Sequence, residues 1–212
     1  MERGIILLTF LALAQSKLLD LSCNQIKAFV NGHNIRRLRL AKGEIYNQPA
    51  AKEMKFMMWD EELAAKAARW ASKHKFAHNP NKKIDSNRFR TGENIYSYST
   101  TDHSYNINPT QALDSWFDEY RDYSFRPLQQ SDFDGSTGVQ IGHYTQMAWS
   151  DTIYVGCAIS QKFENGWKKF LIVCNYGPSG NYLGQTPYRD GKASRSLVCG
   201  TQDCSRPYGS CG

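Results

Sequence analysis

Apolar residues recur at helical spacing through the earlier part of this chain and gather into strand-like runs near residues 154–176. Ile26, Val30 and His33 fall at i, i+4 and i+7, and Gly43 supplies a stop, so a first helix is predicted over Asn24 to Lys42. A second follows Asp60 as N-cap: Glu61 and Glu62 suit the positive end of the helix dipole, and Leu63, Ala64, Ala67, Trp70 and Ala71 form an inward stripe. A third begins at Asn108 with Pro109 in its first turn and carries Ala112, Leu113, Trp116 and Tyr120 on its apolar side. A short fourth is predicted near Val139 to Trp149. Two strands, Tyr154 to Phe163 and Lys169 to Tyr176, are joined through Glu164-Asn165-Gly166, where Asn-Gly is a strong hairpin signal. Helices first and a hairpin last predict an α+β domain with helices on both faces of a small antiparallel sheet.

The N-terminus changes the compartment. Arg3 precedes an uncharged run from Gly4 to Ala14 and the small-residue pattern Ala14-Gln15-Ser16, which predicts a secretory signal peptide over 1–16, cut before Lys17. That run is too short for a membrane anchor, which needs roughly 20 apolar residues. The mature protein is therefore expected to be secreted and extracellular. Six cysteines (Cys23, Cys157, Cys174, Cys199, Cys204, Cys211) then predict three disulfides. Cys157 and Cys174 sit centrally in the two strands and can staple the hairpin; the other four allow three pairings. The tail after Gly177 is rich in Gly, Pro and Ser and holds three of the cysteines, so it is expected to be loop tied down covalently. Hydrophobic residues make up 41% and aromatics 13%, enough for one domain with a real core. The net charge of +6 is dispersed in pieces such as Arg36-Arg37-Leu38-Arg39. That dispersion argues against nucleic acid and for a solvated basic surface attracted to anionic membranes or glycans.

Four titratable residues stand where apolar ones belong. Glu119 lies three residues after Trp116, on the inward side of its helix, and His143 lies four before Met147. His78 follows the second helix in Phe76-Ala77-His78-Asn79-Pro80, and Glu93 sits in Gly92-Glu93-Asn94-Ile95-Tyr96. A buried carboxylate needs protonation, a partner or a cation. Two histidines and two glutamates can make a divalent-metal site or two hydrogen-bonded His–Glu pairs, and spacing alone leaves both open. His33 reads as a core histidine, His74 as a helix-end residue and His103 as a loop residue. No GxSxG elbow, HExxH helix or phosphate-cradling loop occurs, so no organic cofactor is expected and an enzyme would have to be built from those four residues.

The segment Gly142-His143-Tyr144-Thr145-Gln146-Met147-Ala148-Trp149, followed by Val155-Gly156-Cys157-Ala158, resembles one signature of the cysteine-rich secretory, antigen 5 and pathogenesis-related family. Ile172-Val173-Cys174-Asn175-Tyr176-Gly177-Pro178-Ser179-Gly180-Asn181-Tyr182 resembles its second. His33-Asn34-Ile35-Arg36-Arg37 and Gly92-Glu93-Asn94-Ile95-Tyr96 are similar to its first-helix and central motifs, and within the family the venom-allergen-like secreted proteins are the nearest in kind. The resemblance implies a three-layer α-β-α sandwich over 17–188 with a short cysteine-containing extension over 189–212. It implies that His78, Glu93, Glu119 and His143 line one cleft and hold a weakly bound divalent metal, zinc first, and that Cys157 pairs with Cys174. It also implies lipid binding, of a sterol through the loop Tyr96 to Asn108 with Tyr96, Tyr98 and Tyr105, or of a fatty acid in a tunnel between two helices. Departures are His74 and Thr91, where many relatives carry cysteine, and Arg189-Asp190-Gly191, which is not the integrin-binding order. The functional expectation is a monomeric, secreted lipid binder with a metal site and no enzymatic activity. A metal-dependent hydrolase built on the four cleft residues and a surface ligand of a host extracellular receptor or immunoglobulin are the alternatives.

Overall fold

The computed structural model describes residues 16–211; the expected leader, save Ser16, falls outside the described residues. Strand β1 is Lys17–Leu19 and helix α1 is Cys23–Lys42. Ser22 and Gln25 form a reciprocal capping box at the start of α1, and Gly43, at φ 72°, closes it in the left-handed conformation. Strand β2 (Met58–Trp59) leads into α2 (Glu61–Ala71), whose N-cap Asp60 accepts from the Leu63 N–H. Strand β3 is Gly92–Thr100, and α3 (Pro109–Asp118) starts at Asn108 and runs into a 3-10 turn, Glu119–Arg121. Helix α4 is short, Gly142–Met147. The hairpin is β4 (Tyr154–Glu164) and β5 (Trp167–Gly177), with Asn165 and Gly166 at φ 52° and 79° as the two-residue turn predicts.

The sheet runs β1-β4-β5-β3, all neighbours antiparallel, with β2 pairing parallel to the start of β4. Helices cover both faces, which is why β4 and β5 read as apolar runs rather than as alternation. On one face Ala67, Trp70 and Ala71 of α2 pack with Ile95, Ala158, Leu171 and Val173 in a small core. A Cβ on Gly156 of β4 would lie 2.1 Å from the Ala64 backbone nitrogen, so glycine is what lets α2 settle directly on the strand. The other face carries the larger core, where α1, α3 and α4 gather around Phe29, Leu113, Trp116, Tyr144, Ile172 and Tyr176. The chain is thus an α-β-α sandwich. Cys157 and Cys174 face each other in register and are bonded, Cys23 is bonded to Cys211, and Cys199 to Cys204 closes a small loop in the tail.

Two expectations are corrected. Tyr96 and Tyr98 belong to β3, not to a loop, because Gly92–Thr100 pairs with β5 over its whole length and the Tyr-Ser-Tyr-Ser alternation fits a half-covered edge strand. Arg37, read as part of a solvated basic run, is 1% exposed. Its guanidinium donates to five backbone carbonyls, those of Lys55, Met147, Trp149, Ser150 and Thr152.

Candidate functional site

Glu119, at the end of α3, faces the N-terminus of α4, whose own N-cap Ile141 offers no side-chain acceptor. One carboxylate oxygen of Glu119 accepts from the backbone N–H groups of His143 and Tyr144, each at 2.9 Å, and so caps α4 from another element. The other oxygen accepts from His143 Nδ1 at 2.6 Å. Trp116 lies against the His143 ring, centroids 6.0 Å apart and planes 24° from parallel, and is itself held by donation from Nε1 to the Ile95 carbonyl.

The second pair forms where the chain leaves α2. His78 Nδ1 donates to Glu93 Oε1 at 3.0 Å, and the Asn79 N–H donates to the same oxygen at 2.8 Å. The Glu93 side chain is 1% exposed while that of His78 is 57% exposed, so the carboxylate is inside and the ring lies at the surface. Glu93 Oε2 is buried without a protein partner. Successive residues of a strand point to opposite faces. Glu93 therefore turns to the α2 face, and Asn94 to the α4 face, where its amide nitrogen donates to the His143 carbonyl and to the Tyr176 hydroxyl, both at 3.1 Å. The two pairs thus approach the start of β3 from its two sides.

The four residues meet as two His–Glu pairs and not as one four-ligand set. Both carboxylates are occupied as hydrogen-bond acceptors, and among the described residues no group of three or more His, Cys, Asp or Glu side chains is disposed to hold one metal ion. What the pairs leave open is nitrogen. A carboxylate only accepts, so each imidazole carries a proton on Nδ1, and in the neutral ring the remaining nitrogen, Nε2, has a lone pair to offer, the tautomer that carboxylate partners favour on metal-ligating histidines. By donor type, an imidazole nitrogen backed by a carboxylate is a nitrogen ligand suited to a divalent cation.

Tyr96, Tyr98 and Tyr105 are half-buried against the larger core. Tyr105 lies tilted against Tyr98 at 5.2 Å and edge-on to Phe170 at 6.0 Å, and Lys168 Nζ pins the loop after β3 through the carbonyls of His103 and Tyr105. Helices α1 and α3 touch where Gly32 meets Leu113, a Cβ there lying 2.3 Å from Leu113 Cδ1, which closes that crossing. The open apolar space lies instead on the outer flank of α1, a groove of about 450 Å³ bounded by Ile35, Leu38, Phe56, Arg195 and Leu197.

Sequence reasoning missed Arg37, Asn94 and Tyr176 as organising residues. His33 donates from Nδ1 to the Phe29 carbonyl and accepts the Tyr176 hydroxyl on Nε2, and burial lowers its pKa to about 3. His74 bonds Ser160, and His103 donates to the Gly166 carbonyl.

Residues 30–176 match the model of the cysteine-rich secretory protein family. The chain is similar to venom allergen 5.02 of Dolichovespula maculata, 34% identical over 177 residues that cover 81% of this chain and 80% of the relative. It is similar also to salivary antigen-5 of Dipetalogaster maximus, 37% identical over 184 residues, 83% of this chain and 70% of the relative. Among solved structures, NaASP2 crystallised with Zn2+ superposes with a TM-score of 0.64 at 27% identity, covering 90% of this chain and 96% of that one.

Proposed function

Because the chain belongs to the cysteine-rich secretory protein family, we propose that it is an extracellular, venom-allergen-like binding protein whose cleft takes a divalent metal, zinc first, on His78 and His143. The leader cut before Lys17, the domain over 17–188 and the extension over 189–212 are parts of the same proposal. One observation carries the metal reading: in both pairs Nδ1 is committed to a carboxylate, which leaves Nε2 of each ring as the nitrogen available to a cation. A similar protein crystallised with Zn2+ adds support. When bound, the metal supplies a positive centre for water or an anion; Glu119 and Glu93 orient the rings and offset the charge. Two protein ligands are few for zinc, so the ion is weakly held. Titration calorimetry of chelator-treated protein with zinc tests the reading. One saturable site is expected, with His78→Ala and His143→Ala each weakening it at least about tenfold. Absence of saturable zinc binding overturns it.

The lipid reading rests on a different observation, the groove on the outer flank of α1. Ile35 is 60% exposed there, and Arg195 at the rim has no ion-pair partner among the described residues. An apolar channel with a cation at its edge suits a fatty acid, and a sterol by its apolar length alone. Saturable binding of labelled palmitate that falls with Ile35→Asp supports this reading; binding of neither palmitate nor a labelled sterol removes it. The hydrolase alternative has less support, because both Glu119 oxygens already accept hydrogen bonds from His143 and Tyr144 and the free Glu93 oxygen is buried.

A further inference from the structure

Helix α2 ends at Ala71, but the sheet beneath it continues. The turn after α2 is tied to β4 where His74 Nδ1 and Ser160 Oγ lie 2.9 Å apart. Beyond that tie the strand positions on the same face are the register pairs Lys162–Lys169 and Glu164–Trp167, and Leu18 of β1 stands opposite Ser160. Among the described residues no helix covers these positions. Trp167 is 45% exposed, Leu18 36%, and Phe76, on the segment just after α2, 67%. Lys73 and Lys75 are exposed on that same segment. Among the described residues four lysines therefore share this end of the sandwich with one ion-paired carboxylate, Glu164, which bridges Lys162 at 2.8 Å and Lys169 at 2.6 Å. The hairpin tip, Asn165-Gly166, is exposed beside Trp167, and a Cβ at Gly166 would meet nothing within 4 Å.

We propose that this end of the molecule docks on an anionic lipid bilayer, with Lys73, Lys75, Lys162 and Lys169 over the headgroups and Trp167 and Phe76 in the interfacial layer. Charge complementarity selects a polyanionic surface, since the lysines outnumber their one carboxylate. The aromatics select a bilayer over a soluble polyanion: an indole and a phenyl ring flanked by lysines match the headgroup boundary, whereas a sulfated glycan would engage the lysines alone. This surface is separate from the two His–Glu pairs and from the α1 groove, so the inference stands or falls independently of the metal and lipid readings.

Co-sedimentation of the folded protein with phosphatidylcholine vesicles, with and without phosphatidylserine, tests it, beside retention on heparin. Binding at least about tenfold tighter with phosphatidylserine, weakening as salt rises, is expected. The double variant Lys73→Glu/Lys75→Glu is expected to lose about tenfold or more on the anionic vesicles. Trp167→Ser is expected to lose about threefold to tenfold on vesicles while its heparin retention is unchanged. Equal partitioning to both vesicle types, or full binding by the lysine variant, overturns the proposal. So does a lysine variant that fails while Trp167→Ser binds vesicles like the native chain, a result that assigns the patch to soluble polyanions instead.

Discussion

The polar group beneath α1 and the two His–Glu pairs beside β3 use the same kinds of side chain to opposite ends. Beneath α1 the hydrogen-bonding capacity is taken up: His33 uses both ring nitrogens, the Asn34 amide both donates to and accepts from the Met57 backbone, and Arg37 fills its fork with five carbonyls. Beside β3 each imidazole commits one nitrogen and keeps the other. A buried polar residue with no capacity left over can only hold the fold, whereas one with a ring nitrogen still free has something to offer a ligand. The two regions touch through Asn94, which donates to Tyr176 of the first and to the His143 carbonyl of the second. The saturated network is thus the foundation on which the open one is set.

Arg37→Ala is the hardest test of that contrast. It strips donors from five carbonyls that join α1 to the Lys55 segment and to Met147–Thr152, the end of α4 and the turn that follows it. A loss of about 3–5 kcal/mol or more is expected in denaturant unfolding, a large part of the stability of an ordinary domain. Arg37→Lys is expected to recover little, because one ammonium cannot reach the carbonyls that a planar fork spans. A loss below about 1 kcal/mol for Arg37→Ala would break the comparison at its root.

Acid comes next. Burial holds His33 neutral in the folded chain, with its pKa lowered to about 3 from the ordinary value of 6.5. The unfolded chain therefore binds the additional proton below pH 6.5. Stability is complete above that pH, falls by up to about 1.4 kcal/mol per pH unit below it, and stops falling from this cause near pH 3. Between pH 6.5 and 5 this slope precedes the protonation of carboxylates such as Glu62 and Glu164, which ion pairs and hydrogen bonds hold down at about 2. His33→Gln is expected to flatten that part of the stability curve, read by denaturant midpoints against pH. An unchanged slope sinks the assignment.

How these residues read in sequence follows from the range of the forces on them. Helices α1, α2 and α3 and the β4–β5 hairpin carry their signals locally, in caps such as Asp60 and Asn108, in 3.6-residue stripes and in Asn165-Gly166. Strand β3 does not: Tyr96-Ser97-Tyr98-Ser99 resembles a polar loop until β5 supplies its partners. Arg37 stands in a basic run, and only carbonyls 18 to 115 residues away make it a core residue. His78, Glu93, Glu119 and His143 were visible singly, as charge where apolar residues belong. Their pairing was not, because Glu93 meets His78 across the gap between helix and strand, and Glu119 meets His143 through the capping of a six-residue helix that sequence periodicity draws too long.

Zinc sharpens the open side of the comparison. A ligand that binds only the folded chain at about a hundred times its dissociation constant stabilises by about 2.7 kcal/mol. Chelator-treated protein is expected to gain on that order in thermal unfolding when zinc is added, and His143→Ala to gain nothing. Stabilisation of His143→Ala equal to the native chain would place the ion elsewhere.

The smallest expected effect discriminates most finely. The His78 ring is 57% exposed and holds up no other element, so His78→Ala in chelator should shift stability by no more than about 0.5 kcal/mol. Removing it does release Glu93, whose buried carboxylate then keeps only the Asn79 N–H as partner, and this is the one route by which the substitution could destabilise. His78→Asn, which can still donate toward Glu93, separates the two contributions. If His78→Ala is neutral and zinc no longer stabilises it, the ring serves the ligand and not the fold. If His78→Ala loses about 2 kcal/mol and His78→Asn restores it without zinc, the pair is a structural hydrogen bond like those beneath α1, and the contrast between the regions disappears.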